Sequence, residues 1–210
     1  MELLVAVALG LLVSAAAVAW LTSTMRAAWL RTRQAQTHEE GRFAMTALLR
    51  GITQVGSGDA GGEVAVLGHR CEAGSCVPPL SGFPALNARV ARSDVLTLTR
   101  RNKDAADLTW RWYLHRGLGE GQRELRRCNP DGECATMATG VASLAWRYAL
   151  PDVERGVRYA MAHEVQALSA WHRVRGVEVQ LRVRAAPSLR PAEEQVLSFR
   201  SVAALPEPLP

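Results

Sequence analysis

From Leu3 to Leu21 the chain sets 19 residues in a row without a charge, and only Gly10 and Ser14 interrupt its Leu, Val and Ala content before Trp20. A helix built from this run has no polar face. At 1.5 Å per residue it spans about 28 Å, close to the roughly 30 Å of a bilayer's hydrocarbon core. A core helix of a soluble protein is seldom so long. A secretory signal peptide is the stronger alternative, since Ala15, Ala16, Ala17 and Ala19 imitate a small-residue cleavage site. Signal peptides open on basic residues, however, and Glu2 is acidic. The pattern predicts a retained membrane span over residues 1–24.

Glu2 stands at the lip of this helix. A carboxylate there is costly unless it reaches headgroups or meets a positive partner. It also falls in the first turn, where free backbone N–H groups favour an anion. Interfacial snorkelling and pairing with a neighbour's N-terminal amine both fit.

Neither Pro nor Gly occurs between Thr22 and Glu40, so the helix is expected to continue. A stripe follows at helical spacing: Met45, Leu48, Leu49, Ile52 and Val55, with Phe43 and Ala44 at its start. One rod from Glu2 to Gln54 would run about 80 Å, apolar all round in its first half and packed on a domain over residues 25–56. An anchor followed by a separate short helix is the plainer alternative. Gly41 either bends the rod or is tolerated at about 1 kcal/mol. Trp20 suits an interfacial level, whereas Trp29 suits contact with a neighbour or the domain.

The Gly-rich stretch 57–62 ends the helix. Beyond it the period changes to two. Glu63 to Leu67 and Asp94 to Thr99 read as strands, as does Leu108 to Leu114, with Leu108, Trp110, Trp112 and Leu114 opposite Thr109, Arg111 and Tyr113. Val141 to Leu150 and Val196 to Val202 follow. The cleanest alternation sets Val177, Val179, Leu181 and Val183 against Glu178, Gln180, Arg182 and Arg184, which predicts one buried and one wet face. Met161 to His172 reads as a short helix with Val165, Leu168 and Trp171 on one side. The expected fold is α+β: a long N-terminal helix packed on an antiparallel sheet domain over 57–205, with a Pro-rich tail at 206–210.

With 210 residues the chain has room for one ordinary domain and an appendage. An apolar share of 48% against 21% charged excludes wholesale disorder. Net charge is +5, and Arg supplies 24 of the 25 basic residues, a bias that reads as genome composition rather than selection for phosphate contacts. Arg26, Arg31 and Arg33 follow the span, and the positive-inside rule would put that side in the cytoplasm. Four cysteines argue the opposite. Cys71 with Cys76 and Cys128 with Cys134 are close pairs around small loops, for which local closure is the preferred pairing, although three connectivities are open. Disulfides imply an oxidising compartment. A zinc site is the alternative, but the spacings are at or beyond the upper end for near ligands.

No catalytic motif emerges. His163 and His172 are wrongly spaced for a metalloprotease helix, and the glycines at 56, 58, 61 and 62 lack the Lys and hydroxyl residue of a phosphate loop. His38, His69, His115 and His172 are scattered and read as surface or packing residues. Arg100, Arg101, Lys103, Arg111, Arg116, Arg123, Arg126 and Arg127 interleave with Trp110, Trp112 and Tyr113, as a nucleic-acid groove would. Because Trp110 and Trp112 share a strand face with Leu108 and Leu114, core packing explains them more simply, and the arginines read as a solvated face. Direct nucleic-acid binding, a metal, a cofactor and enzymatic activity are not expected.

The run Glu2-Leu3-Leu4-Val5-Ala6-Val7-Ala8-Leu9-Gly10-Leu11-Leu12-Val13 resembles the N-terminal helix of type IV pilins and pseudopilins. Glu40-Gly41-Arg42-Phe43-Ala44-Met45, Ser93 to Leu98, Gly140 to Tyr148, Val174 to Arg184 and Val196 to Ala203 resemble, in order, segments of the PilW-like minor pilins. The chain departs from that family at its start, lacking the basic leader and the Gly-Phe junction before the glutamate; a start codon placed too late would account for this and for the orientation conflict. The resemblance implies processing by the prepilin peptidase and an inner-membrane anchor with the domain in the periplasm. It implies assembly into a pilus fibre, at its tip in some systems, through Glu2, Leu3, Leu4, Val5, Leu9 and Gly10. It names as partners other minor pilins, the major pilin and the inner-membrane assembly machinery, with Glu2 neutralising the adjacent subunit's terminal amine. A type II secretion pseudopilin and a generic anchored periplasmic binding domain are the alternatives.

Overall fold

The computed structural model of the chain describes residues 2–56, 64–72, 75–77, 93–101, 106–116, 123–154, 156–184 and 196–205. The expected turn at 57–62, Glu63, Lys103, the tail at 206–210 and the Glu2 side chain lie outside the described residues.

One helix, α1, runs from Glu2 to Gly56, 55 residues or about 80 Å. Its two halves differ. Residues from Leu3 to Gln36 are exposed apart from a half-buried Arg33, whereas Thr37, Gly41, Ala44, Met45, Leu48, Gly51, Ile52 and Val55 are buried. Their three- and four-residue steps put them on one face, which is the stripe that ties α1 to the domain. Phe43, expected in that stripe, is 69% exposed; it lies one step round the helix from Ala44 and points off the packed face. Gly41 is a seat rather than a bend point, because a Cβ there would fall inside the Phe199 ring.

The domain is two antiparallel sheets with α1 packed between them. Strands β1 (Val64–Glu72), β2 (Ser75–Val77), β3 (Ser93–Arg100), β4 (Leu108–Arg116), β5 (Arg123–Cys128) and β6 (Cys134–Thr139) form the first, in the order β2-β1-β3-β4-β5-β6. Strands β7 (Val141–Asp152), β8 (Gly156–Ala160), β9 (Gly176–Arg184) and β10 (Val196–Ala204) form the second, in the order β10-β9-β7-β8. The register sets Trp146 beside Val179, Leu144 beside Leu181 and Phe199 beside Leu181, so one face of the second sheet is apolar. That face and Val66, Leu96, Leu98, Trp112, Leu114 and Leu125 of the first sheet enclose the stripe of α1 in one core.

Three expectations need correction. Glu178, placed on a wet face, is 1% exposed because Arg147 and Arg200 from the flanking strands fold over it. The Tyr113 face of β4 is not solvated: Tyr113 and His115 are buried, as are His69 and Thr97 on the same side of the sheet. The helix expected over Met161 to His172 is a six-residue α2 (Ala162–Ala167) and a separate 3₁₀ turn at Trp171–Arg173. Leu168, the C-cap of α2, is exposed, and Ser169 takes a positive φ of 50° that redirects the chain before Trp171 and breaks the shared face.

Candidate functional site

The feature that no part of the domain accounts for is the N-terminal stem. Leu3, Leu4, Val5, Leu9, Leu11 and Leu12 are each 59% exposed or more. The apolar window within this helix has mean hydropathy 2.5 and none of it is buried. It is one helix near the N-terminus, long and apolar enough to cross a membrane. Side chains of this size in water would forgo roughly 1.5–3 kcal/mol each of burial, so the surface is built to be covered.

The stem's polar residues are arranged to permit this. Ser14 Oγ donates to the Gly10 carbonyl at 2.8 Å, and Thr22, Ser23 and Thr24 donate to the carbonyls of Ala19, Trp20 and Leu21 at 2.7–2.9 Å. No hydroxyl therefore enters an apolar medium unsatisfied, where it would cost several kcal/mol. Gly10 has open space where a Cβ would stand, so a second helix can approach there closely. Of the sequence-predicted assembly residues, Leu3, Leu4, Val5, Leu9 and Gly10 all lie on this exposed segment; Glu2 opens the helix. Trp29 is shielded on one side by its own helix, with the Arg33 guanidinium 3.8 Å from its ring centroid, and remains 40% exposed.

The cysteines form disulfides Cys71–Cys76 and Cys128–Cys134, each joining directly paired positions of adjacent strands. Cys71, Cys76 and Cys128 pack with Val95 and Tyr113 into a second small core on the far face of the six-stranded sheet. Among the described residues there is no group of three His, Cys, Asp or Glu side chains placed to hold a metal.

Two ionisable clusters lie elsewhere, and the sequence pointed to neither. At the joint between the sheets, β8 pairs only with the second half of β7, from Tyr148 onward. Side chains of the first sheet serve the half left open: Asp94 Oδ2 accepts from the Trp146 amide at 3.4 Å, and Arg123 Nη1 donates to the Ala142 carbonyl at 2.7 Å. Burial raises the Asp94 carboxyl above its ordinary range, opposed by that amide and by the charges of Arg70 and His163. The Tyr148 hydroxyl, fully buried against Gly68 and without a partner among the described residues, is held protonated far above the usual phenol range by burial and then by Asp94. On the outer face of the second sheet, Glu178 takes Arg200 Nε on one oxygen and Arg147 Nη1 at 3.7 Å on the other. Both clusters hold strands together.

A shallow hollow of about 170 Å³ lies where α1 passes β6 and β9, lined by Glu40, Phe43, Met137, Ala138, Thr139 and Val183. Its polar side chains are Glu40 and Thr139, and no histidine or cysteine lines it. No protein-family model, curated protein or solved structure matches the chain.

Proposed function

We propose that the chain is a minor pilin: an inner-membrane protein with its domain in the periplasm, which enters a type IV pilus and helps begin its assembly with other minor pilins and the major pilin. The observation that carries this reading is the division of one unbroken helix into an exposed apolar half and a domain-packed half. A simple anchor needs only the span. A helix continuous from the span into the domain core fixes the domain's height and rotation relative to whatever grips the span, which is what a filament subunit requires. Two bound states follow: lipid first, then sister helices, whose association out of lipid rests on close packing at small residues such as Ala6, Ala8 and Gly10. Glu2 falls in the first turn, at the positive end of the helix dipole, and its carboxylate has the charge to pair with a neighbour's N-terminal amine. The prepilin peptidase and the inner-membrane assembly machinery are the partners this role needs. The disulfides support an oxidising compartment for the domain.

The test is recovery of the chain in filaments sheared from cells that express it. The wild-type chain is expected in the sheared fraction, and Glu2→Ala is expected to stay in the membrane with its domain still folded. A chain found only in the cell envelope, with filament yield unchanged by its deletion, would overturn the reading.

A further inference from the structure

We infer that the stem between Trp20 and Arg33 is a collar that binds anionic phospholipid headgroups where the helix leaves the bilayer; this rests on the reading that Leu3 to Leu21 is embedded. From Leu3 to His38 the only charged residues are Arg26, Arg31 and Arg33, and the first acid is Glu39. Arg26 and Arg31 are exposed, whereas Arg33 is half-buried; the domain's packing begins only at Thr37, so the domain does not cover the first two cations.

The arrangement suits lipid rather than a protein face. At 100° per residue, Arg26, Trp29 and Arg33 lie within about 60° of one another, while Trp20 and Arg31 lie within about 20° on nearly the opposite side. Each side thus carries an aromatic ring and a guanidinium. A protein partner would read one side; a headgroup layer surrounds the helix and draws on cations on both, Arg26 by contact and Arg31 and Arg33 through its field. Aromatic rings of this kind favour the interface, and guanidinium pairs with phosphate through two parallel hydrogen bonds.

The direction of the side chains also fits. Helical side chains lean toward the N-terminus, which here is toward the bilayer. Arg33 shows the lean, lying back over Trp29 one turn earlier. Arg26 stands about 8 Å beyond Leu21, at headgroup depth. Arg31 and Arg33 stand about 8 and 11 Å further along the axis, roughly a Debye length above Arg26, and act through the field.

The experiment places the full chain in phosphatidylcholine vesicles and compares spin-labelled phosphatidylglycerol with spin-labelled phosphatidylcholine for their share of motionally restricted lipid. The native chain is expected to favour phosphatidylglycerol on the order of fivefold, the weight of one cation at headgroup level. The preference should fall toward unity in R26Q/R31Q/R33Q and in high salt, while the restricted phosphatidylcholine signal persists. Equal association of the two lipids with the native chain would leave the three cations to an acidic protein partner and overturn the inference, as would a preference that survives the triple substitution. Absence of any restricted lipid would instead overturn the embedded span itself, and the inference with it.

Discussion

Gly10 and Gly68 show how differently one residue type is used along this chain. Gly68 faces the ring of fully buried Tyr148, and a Cβ there would collide with the phenol, which Trp171 closes from another side at 4.9 Å between ring centroids. Gly68→Ala is therefore expected to cost about 1–3 kcal/mol in chemical denaturation, the usual range for overpacking. Gly10→Ala, with nothing within 4 Å, is expected to leave the domain's unfolding unchanged. Asp94 gives a prediction with a sign. Its folded pKa is raised, chiefly by burial, so the folded chain binds this proton more readily than the unfolded one. The contribution to stability is full below the unfolded carboxyl value and is lost as pH rises through the folded one. Asp94→Asn keeps an acceptor for the Trp146 amide and removes the charge. Denaturant melts should show it more stable than the parent at neutral pH, with the gap closing as the medium is acidified; a gap that widens toward acid would contradict the assignment.

At the scale of elements, the strands depend on devices that the hydrophobic pattern does not record. Strand β9 was legible because Val177, Val179, Leu181 and Val183 alternate and their face is core. Strands β5 and β6 were not: Arg123–Cys128 offers Leu125 as its one large apolar side chain, and Cys134–Thr139 has chiefly small residues. Their pairing is carried by a turn in which the Asn129 amide donates to the Glu133 carbonyl at 2.8 Å, and by the Cys128–Cys134 disulfide. Closing such short loops contributes about 2 kcal/mol each. Cys128→Ser/Cys134→Ser should lower the unfolding free energy by about that amount, and by somewhat more because Cys128 is buried beside Tyr113. Equal melts of oxidised and reduced chain would contradict this. Glu178 departs from its pattern for a related reason. Alternation placed it correctly on the outer face, but only the three-dimensional register brings Arg147 and Arg200 over it from two other strands.

At the scale of the whole molecule, the domain's packing and the proposed assembly surface belong to different stretches of one helix. The change falls near Thr37, the first buried residue of α1. The sequence carried the two extremes, a fully apolar run and an amphipathic stripe. It did not carry the bare stem between them, because residues 25 to 36 mix Arg, Trp, Ala and Gln without a period that separates contact with the domain from contact with another chain. A chain beginning at Arg33 should consequently be soluble without detergent and melt within about 2 °C of the full chain in detergent, since no buried residue is lost. A large fall in melting temperature would mean that the stem supports the domain after all.

The proposed role makes the exposed leucines of the span a surface for sister helices. The most direct measurement replaces Leu9 with a photo-reactive amino acid in the full-length chain, irradiates intact cells, and identifies the adducts by mass spectrometry. Covalent adducts with the apolar N-terminal helices of other pilins are predicted, together with a mature chain that still contains residues 3–21. Lipid adducts alone, or a mature chain that begins beyond Ala19, would contradict it.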